Sequence, residues 1–268
     1  MSSAPPAAPP AVPPMVLSFA ASDPTGGAGL QADLLTIAAL GCHPLSVVTA
    51  ITVQDTRGVE RVMPIEPSWI TEQARRVLED IEVAAFKAGV LGSAQNVRAV
   101  SELVAEHAEV PLVVDPVLAS GRGDPLAERD AIEALRELIL PRTTVLTPNS
   151  LEARRLAGGA TDLAECARRL TDHGCEYVLI TGTHEAGGEV VNTLYDESGV
   201  VREDRWPRLP ESYHGSGCTL ASAIAARLAQ GLEPAQAARE AQHFTWESLA
   251  AGFKPGGGQF LPNRFFRR

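Results

Sequence analysis

Short, nearly continuous runs of apolar residues alternate with longer amphipathic stretches along the chain from residue 15 onward. Unbroken apolar runs are typical of parallel strands buried on both faces, and the stretches between them have the 3.6-residue period of helices. The predicted strands are 16–20, 45–51, 84–90, 111–114, 144–146 and 177–180. The predicted helices are 30–40, 68–80 (capped by Ser68), 96–106, 130–138, 161–173, 217–230 and 234–251. This alternation predicts a three-layer, doubly wound α/β fold with a mostly parallel central sheet flanked by helices.

Two segments depart from the alternation. Residues 190–195 and 200–204 flank a short turn, and they predict a small antiparallel hairpin at one edge of the sheet. Residues 1–14 hold six of the 20 prolines and predict a disordered Ala/Pro-rich tail. With no internal repeat and no later linker, residues 15–268 predict a single domain. In such sheets ligands bind beyond the carboxyl ends of the strands, so the loops there are the candidate site.

Charge and cysteine content narrow the class of protein. The 23 Lys and Arg against 33 Asp and Glu give a net charge of −10, which disfavours nucleic acid or an anionic membrane as the main partner. A small anionic ligand at a local site stays possible. Four widely spaced cysteines, no signal peptide and no membrane-length apolar run predict a cytoplasmic protein with reduced thiols. Arg264, Arg267 and Arg268 form a basic end whose simplest interpretation is a solvated one.

Two glycine-rich loops are candidates for ligand binding. Residues 22–29, Ser-Asp-Pro-Thr-Gly-Gly-Ala-Gly, allow the backbone to approach a ligand closely, although a sharp strand–helix turn explains them equally well. Asp33 follows and either complements the helix dipole or accepts a hydrogen bond from a ligand. The second loop, Gly215-Ser216-Gly217-Cys218, leads into a small-residue helix whose free N–H groups form an anion site.

Cys218, the last residue of this second loop, and His214, the residue before it, are candidates for further roles. Cys218 at the helix start is predicted to have a lowered thiol pKa. His214, directly before the loop, is a candidate to contact a phosphate or to orient the loop.

Three polar residues follow predicted strands at the same edge of the sheet. Asp115 ends one strand, and Asn149 with Glu152 follows the next. The Asn149–Glu152 spacing is that of a capping box, so a purely structural interpretation is strong. Carboxylates at such an edge also hold Mg²⁺ that carries ATP phosphates. Together with the anion site, they indicate phosphoryl transfer.

Four segments, in order along the chain, resemble one family. Residues 21–33 (ASDPTGGAGLQAD), 49–58 (TAITVQDTRG), 147–152 (TPNSLE) and 214–219 (HGSGCT) resemble the bacterial hydroxymethylpyrimidine/phosphomethylpyrimidine kinases of the ribokinase-like superfamily. The likeness runs from residue 15 to the carboxyl end. It implies a kinase of thiamine biosynthesis that uses ATP and Mg²⁺. Such an enzyme phosphorylates 4-amino-5-hydroxymethyl-2-methylpyrimidine and then its monophosphate, and relatives are commonly homodimers.

The resemblance also implies roles for individual residues. The pyrimidine pocket would include Asp33 and Gln54, with Ala21 and Val90 where relatives often have Gly and Met. The groups around ATP and Mg²⁺ would be Asn149, Thr181, Gly182, His214, Asp115 and Glu152, the two carboxylates holding the metal directly or through water. The anion hole and the catalytic residue would be Gly215, Ser216, Gly217 and Cys218. Relatives often carry Lys at the Thr181 position, and its absence shifts charge neutralisation onto Mg²⁺ and the helix N-terminus.

Two alternatives stay open. Pyridoxal kinases of the same superfamily also phosphorylate a hydroxymethyl group on an aromatic nitrogen ring. A catalytically weak protein that captures the pyrimidine or a nucleotide is the other, because the usual Lys is missing. The segments 54–58 and 121–124 are candidates to move over a bound substrate.

Overall fold

The computed structural model describes residues 12–118 and 128–267. The predicted tail, apart from residues 12–14, and the segment 121–124 therefore lie outside the described residues. The strands are β1 (Met15–Ser22), β2 (His43–Gln54), β3 (Val59–Pro64), β4 (Ala85–Ala88), β5 (Leu112–Val114), β6 (Val145–Leu146), β7 (Tyr177–Thr181), β8 (Glu189–Asp196) and β9 (Gly199–Pro207). The helices are α1 (Gly29–Ala39), α2 (Pro67–Leu78), α3 (Ala94–Ala105), α4 (Arg129–Ala134), α5 (Ser150–Leu156), α6 (Leu163–Asp172), α7 (Ser216–Ala229) and α8 (Pro234–Ala250).

The nine strands form one sheet in the order β3-β2-β1-β4-β5-β6-β7-β8-β9. The strands from β2 to β7 in this order are parallel, while β3, β8 and β9 pair antiparallel at the two edges. The chain winds outward in both directions from β1 and β4, so the point where strand order reverses lies between these two strands. The doubly wound sheet and its β8–β9 edge hairpin confirm the prediction.

Alternate residues of the central strands enter two separate cores. Leu17 and Phe19 of β1 pack in the core on the α2–α6 side. Val16 of the same strand points to the opposite face and packs in the core that contains residues of α7 and α8. Since both faces of the inner strands are buried, their apolar runs are unbroken, as the sequence pattern required. The three layers are thus helices, sheet and helices.

Two local predictions need correction. The strand β3 was not predicted, because most of its residues are exposed at the sheet edge and give no continuous apolar run. Ser68 does not cap α2: the helix begins at Pro67 after Glu66, since a proline fits the first helical position without losing a bond. The capping box of Asn149 and Glu152 is present at the start of α5.

No helix of residues 12–118 and 128–267 is long and apolar enough to cross a membrane. The division into a tail and one domain stays a prediction.

Candidate active site

A cavity of about 470 Å³ lies at the carboxyl ends of the parallel strands. Its wall includes residues of the loops after β1, β4, β5, β6 and β7 and of the start of α7. Most of the sequence-predicted site residues line it: Ala21, Gln54, Val90, Asp115, Asn149, Glu152, Thr181, His214, Gly215, Ser216, Gly217 and Cys218. Asp33 and Gly182 are the two that do not.

The start of α7 is built as an anion site. Gly215 is the N-cap in a left-handed conformation, with φ 83°. A side chain at this position would collide with the carbonyl oxygen of Gly27, so the close approach of the two glycine loops also requires glycine. The first turn of any helix leaves backbone N–H groups without helical acceptors. Those of Ser216, Gly217 and Cys218 are therefore available to an anion in the cavity.

His214 joins this turn to the first glycine loop. Its Nε2 lies 2.9 Å from the Oδ2 atom of Asp23. Asp23 also accepts hydrogen bonds from the backbone N–H groups of Thr25 and Ala28. Burial alone would raise the Asp23 pKa, but the hydrogen bonds from His214 and from the two backbone groups outweigh it and lower the pKa. Asp23 is a residue that sequence reasoning missed, because the loop was recognised only by its glycines.

Asp33 lies beneath the cavity and not in its wall. Its side chain is fully buried, with Oδ2 2.9 Å from Lys87 Nζ, and Oδ1 accepts a hydrogen bond from Ser222 at 2.7 Å. The expectation of a direct contact between Asp33 and the pyrimidine therefore does not fit the structure. Lys87 does line the cavity, and Asp33 holds it there. Burial alone would lower the Lys87 pKa, but the nearby carboxylates of Asp33 and Asp115 raise it, so the ammonium stays charged.

Cys218 lines the cavity at the end of the anion turn. Burial and the negative charge of Asp115 raise its thiol pKa to about 12, with Lys87 acting in the opposite direction. The expected lowering of the pKa at a helix start is therefore wrong, and the thiol is neutral at pH 7. The other three cysteines, Cys42, Cys166 and Cys175, are buried in the structure.

Two carboxylates form an acidic pair on the cavity wall. Asp115 lies against Gly217, and its buried Oδ2 has no hydrogen-bond partner among the residues that the structure describes. Glu152 accepts from the N–H groups of Leu118 and Asn149, at 3.3 and 3.0 Å. Burial and the charge of Asp115 raise the Glu152 pKa to about 8, although these backbone bonds act to lower it.

This pair fits Mg²⁺. The charge of Asp115 disfavours ionisation of the neighbouring Glu152, and the Asp115 Oδ2 atom lacks a partner among the described residues. A cation between the two groups would stabilise both carboxylates. In the described part of the chain no three His, Cys, Asp or Glu side chains converge as a complete metal site. Mg²⁺ is usually held by one or two carboxylates, with water and phosphate oxygens completing the shell. Asp115 and Glu152 supply that number of protein ligands.

Gln54 lies at the β2 side of the cavity. Its Nε2 donates to Thr52 Oγ1 at 2.9 Å, and Thr52 in turn donates to the Ser22 carbonyl at 2.7 Å. The following loop is held by the carboxyl-terminal segment, because Gln259 N donates to the carbonyl of Thr56 at 2.8 Å. The Gln54 amide is thus fixed beside the loop after β1.

The loop after β7 is held by a residue that sequence reasoning missed. Arg208 donates to the carbonyl oxygens of Thr183, Glu185 and Gly187, each at 2.8 Å. Thr181, at the end of β7, reaches the cavity, whereas Gly182 packs its backbone against β8. No sequence motif marks Arg208, which reaches this loop from the far side of the β8–β9 hairpin.

The phosphomethylpyrimidine kinase family model matches residues 23–263, which include every one of these loops. The chain belongs to this family. The hydroxymethylpyrimidine/phosphomethylpyrimidine kinase of Streptomyces coelicolor is 44% identical to it over 252 residues, covering 91% of each chain. The corresponding kinase of Escherichia coli is 35% identical over 239 residues, covering 87% of this chain and 90% of that one.

Solved structures of relatives share the fold. A pyridoxal kinase from Staphylococcus aureus in complex with AMP-PCP and pyridoxal has a TM-score of 0.86 and 29% identity, covering 95% of this chain and 94% of that one. A phosphomethylpyrimidine kinase from Clostridium difficile has a TM-score of 0.74 and 33% identity, covering 87% and 97%. The ribokinase-like architecture expected for the family is thereby confirmed.

Proposed function

We propose that this chain is an ATP-dependent kinase that phosphorylates 4-amino-5-hydroxymethyl-2-methylpyrimidine and then converts the monophosphate to the diphosphate, in thiamine biosynthesis. One observation carries the proposal: the anion turn of α7 opens into the same cavity as the Gln54 amide and the carboxylates of Asp115 and Glu152. Membership of the phosphomethylpyrimidine kinase family supports the choice of substrate.

We assign the pyrimidine to the Gln54 side of the cavity. A side-chain amide offers both a donor and an acceptor, which suits the edge of an aminopyrimidine. Ala21 and Val90 add small apolar surfaces in the same cavity. Asp33 contributes indirectly in this proposal, since it holds the charged Lys87 at the cavity wall.

We assign the phosphoryl group to the start of α7. The N–H groups of Ser216 and Gly217 stabilise its negative charge during transfer, which is mainly a matter of positioning and electrostatics. Cys218 takes the proton of the substrate hydroxyl and passes its own proton toward the Asp115 carboxylate beside it. A relay of this kind suits a thiol that is neutral before the reaction.

The nucleotide phosphates belong, in this proposal, beside Asn149, Thr181 and His214, which line the same cavity. Asp115 and Glu152 hold Mg²⁺, directly or through water. When bound, the ion neutralises charge on the phosphate oxygens. Lys87 adds a fixed positive charge in the cavity wall, where the lysine common at the Thr181 position of relatives is missing.

Release of ADP by the purified protein, with a mass spectrum of the product, tests the function. We expect turnover with the hydroxymethylpyrimidine, little turnover with pyridoxal, and two added phosphates. The reverse preference would make the protein a pyridoxal kinase, the second candidate, which the 0.86 TM-score to a pyridoxal-bound relative favours. Saturable binding of the pyrimidine without ADP release would refute both and leave a binding protein.

We also propose that the kinase works as a homodimer in the cytoplasm, as the family resemblance implies. The chain has a mass of 28.3 kDa. Light scattering of the purified protein is expected to give twice that mass. The mass of a single chain at the concentrations used for the assay would contradict the dimer.

A further inference from the structure

Arg264 is buried between the two glycine loops, although it belongs to the basic carboxyl-terminal end that was expected to be solvated. Only 4% of its surface is exposed. Arg267, three residues later, does match the expectation: it is exposed and pairs with Glu247 at 2.7 Å. The burial of Arg264, in contrast to the exposure of Arg267, shows that the Arg264 side chain makes its contacts inside the molecule.

The guanidinium of Arg264 cross-links the loop after β1 to the first turn of α7. It donates to the carbonyl oxygens of Gly26 and Gly27, at 3.3 and 2.6 Å. Its Nε and Nη2 both donate to Thr219 Oγ1, at 3.1 and 3.0 Å. Thr219 in turn donates to the carbonyl of Gly215 at 2.8 Å. A continuous set of hydrogen bonds therefore runs from one glycine loop to the N-cap of the anion turn.

This arrangement suits a guanidinium and little else. Its planar fork supplies several donors in fixed directions, whereas an ammonium is a single point charge. Burial lowers the Arg264 pKa to about 10, with the charges of Asp33 and Asp23 acting to raise it. The group is still positive at neutral pH, and it lies directly behind the helix start that receives negative charge.

We propose that Arg264 is a positioning residue for phosphoryl transfer: through Thr219 it fixes the anion turn against the first glycine loop, so that the backbone N–H groups point at the transferring phosphoryl group. It touches neither substrate nor nucleotide. The proposal rests on the proposed kinase function for its rate measurements, but not for its binding measurement.

The rate test compares Arg264→Ala with Arg267→Ala, a matched change in the same segment. A misdirected anion turn is expected to lower kcat about 10²-fold in both phosphorylation steps, with the KM for the pyrimidine unchanged. Added guanidinium ion is expected to restore part of the kcat of Arg264→Ala, and Arg264→Lys is expected to restore little. A folded Arg264→Ala protein with the activity of Arg267→Ala would overturn the proposal, as would a loss confined to KM.

The binding test does not depend on the identity of the acceptor. AMP-PCP carries a third phosphoryl group that ADP lacks, so Arg264→Ala is expected to weaken calorimetric binding of AMP-PCP more than that of ADP. Equal weakening would contradict the proposal. Wild-type protein that binds AMP-PCP but releases no ADP with the pyrimidine would refute the proposed function alone.

A second variant covers the case in which Arg264→Ala does not fold. Thr219→Val keeps the shape of the side chain and removes the hydroxyl that relays the bond to Gly215. We expect a folded protein whose kcat is lowered in both steps, while Thr219→Ser retains most of it. Wild-type kcat in Thr219→Val would overturn the proposal.

Discussion

Replacing Lys87 by methionine would break its buried ion pair with Asp33. Lys87 Nζ and Asp33 Oδ2 lie 2.9 Å apart, and both side chains are fully buried. Methionine fills much of the same space but has no charge. Asp33 then keeps its hydrogen bond from Ser222 and loses its counter-ion. We therefore expect a loss of stability well beyond that of a surface ion pair.

Coulomb's law sets the scale of the loss. At the observed 2.9 Å separation, two unit charges attract by about 6 kcal/mol when the effective dielectric constant is about 20. Desolvation of the two groups offsets part of this attraction. Removing one member of a buried pair leaves an uncompensated charge and costs about 3–5 kcal/mol. Because whole domains are stable by about 5–15 kcal/mol, Lys87→Met is expected to lose a large fraction of the free energy of unfolding.

Denaturant titration followed by circular dichroism and tryptophan fluorescence measures this free energy for wild type, Lys87→Met, Asp33→Asn and the double variant. The double variant holds neither charge, so its loss is expected to be several kcal/mol smaller than the sum of the single losses. Arg75→Met is the control: Arg75 and Glu106 lie 2.7 Å apart with both side chains about half exposed. Such a pair contributes about 0–1 kcal/mol. A Lys87→Met loss no larger than that of Arg75→Met, or strict additivity in the double variant, would refute the reasoning.

Three further predictions concern the anion turn and the carboxylate pair. Cys218→Ala is expected to slow the first phosphorylation more than the second, because the monophosphate accepts the phosphoryl group through an oxygen that is already anionic; equal losses in separately assayed steps would argue against a proton relay. The Glu152 pKa is about 8 in the folded protein, against an ordinary 4.5, so the folded state binds this proton more tightly than the unfolded state does. The stability that this protonated group contributes is therefore full below pH 4.5 and is lost as the pH rises through about 8. The difference in unfolding free energy between wild type and Glu152→Gln should therefore change over this range, and a pH-independent difference would contradict the assignment. Gly215→Ala is expected to lower the Tm more than Gly231→Ala, since both glycines have a positive φ but only Gly215 abuts another loop; equal shifts would show that the close approach adds nothing.

Features that depend on one short segment were predictable from the sequence. Buried parallel strands give unbroken apolar runs whatever their neighbours are, so the α/β class followed from β1, β4 and β7 alone. The anion turn at Gly215 and the capping box at Asn149 were equally legible, because a helix start offers the same free N–H groups wherever it is placed. The exposed edge strand β3 carried no such signal.

Features that join distant segments were not predictable. Asp33 and Lys87 are 54 residues apart, Asp23 and His214 are 191 apart, and Arg264 lies 237 residues from Gly27. Nothing in the local pattern says which of these residues meet. Their contacts follow from the strand order, in which β1 lies beside β4, and from the packing of the carboxyl-terminal segment against the start of α7. The local pattern therefore places Asp33 against the substrate and Arg264 in water, whereas the fold buries both side chains.

The thiol pKa of Cys218 shows what the sequence determines and what the tertiary structure determines. The sequence by itself determined a thiol at a helix start among small residues, and the partial positive charge of that start predicts a lowered pKa. Only the tertiary structure put the thiol in the cavity wall beside Asp115, where the pKa rises to about 12. The helix end carries about half a charge at its first turn, whereas desolvation and a full carboxylate charge at close range act more strongly on the thiolate. The local pattern thus identified the thiol at the start of α7, and the fold determined its protonation state.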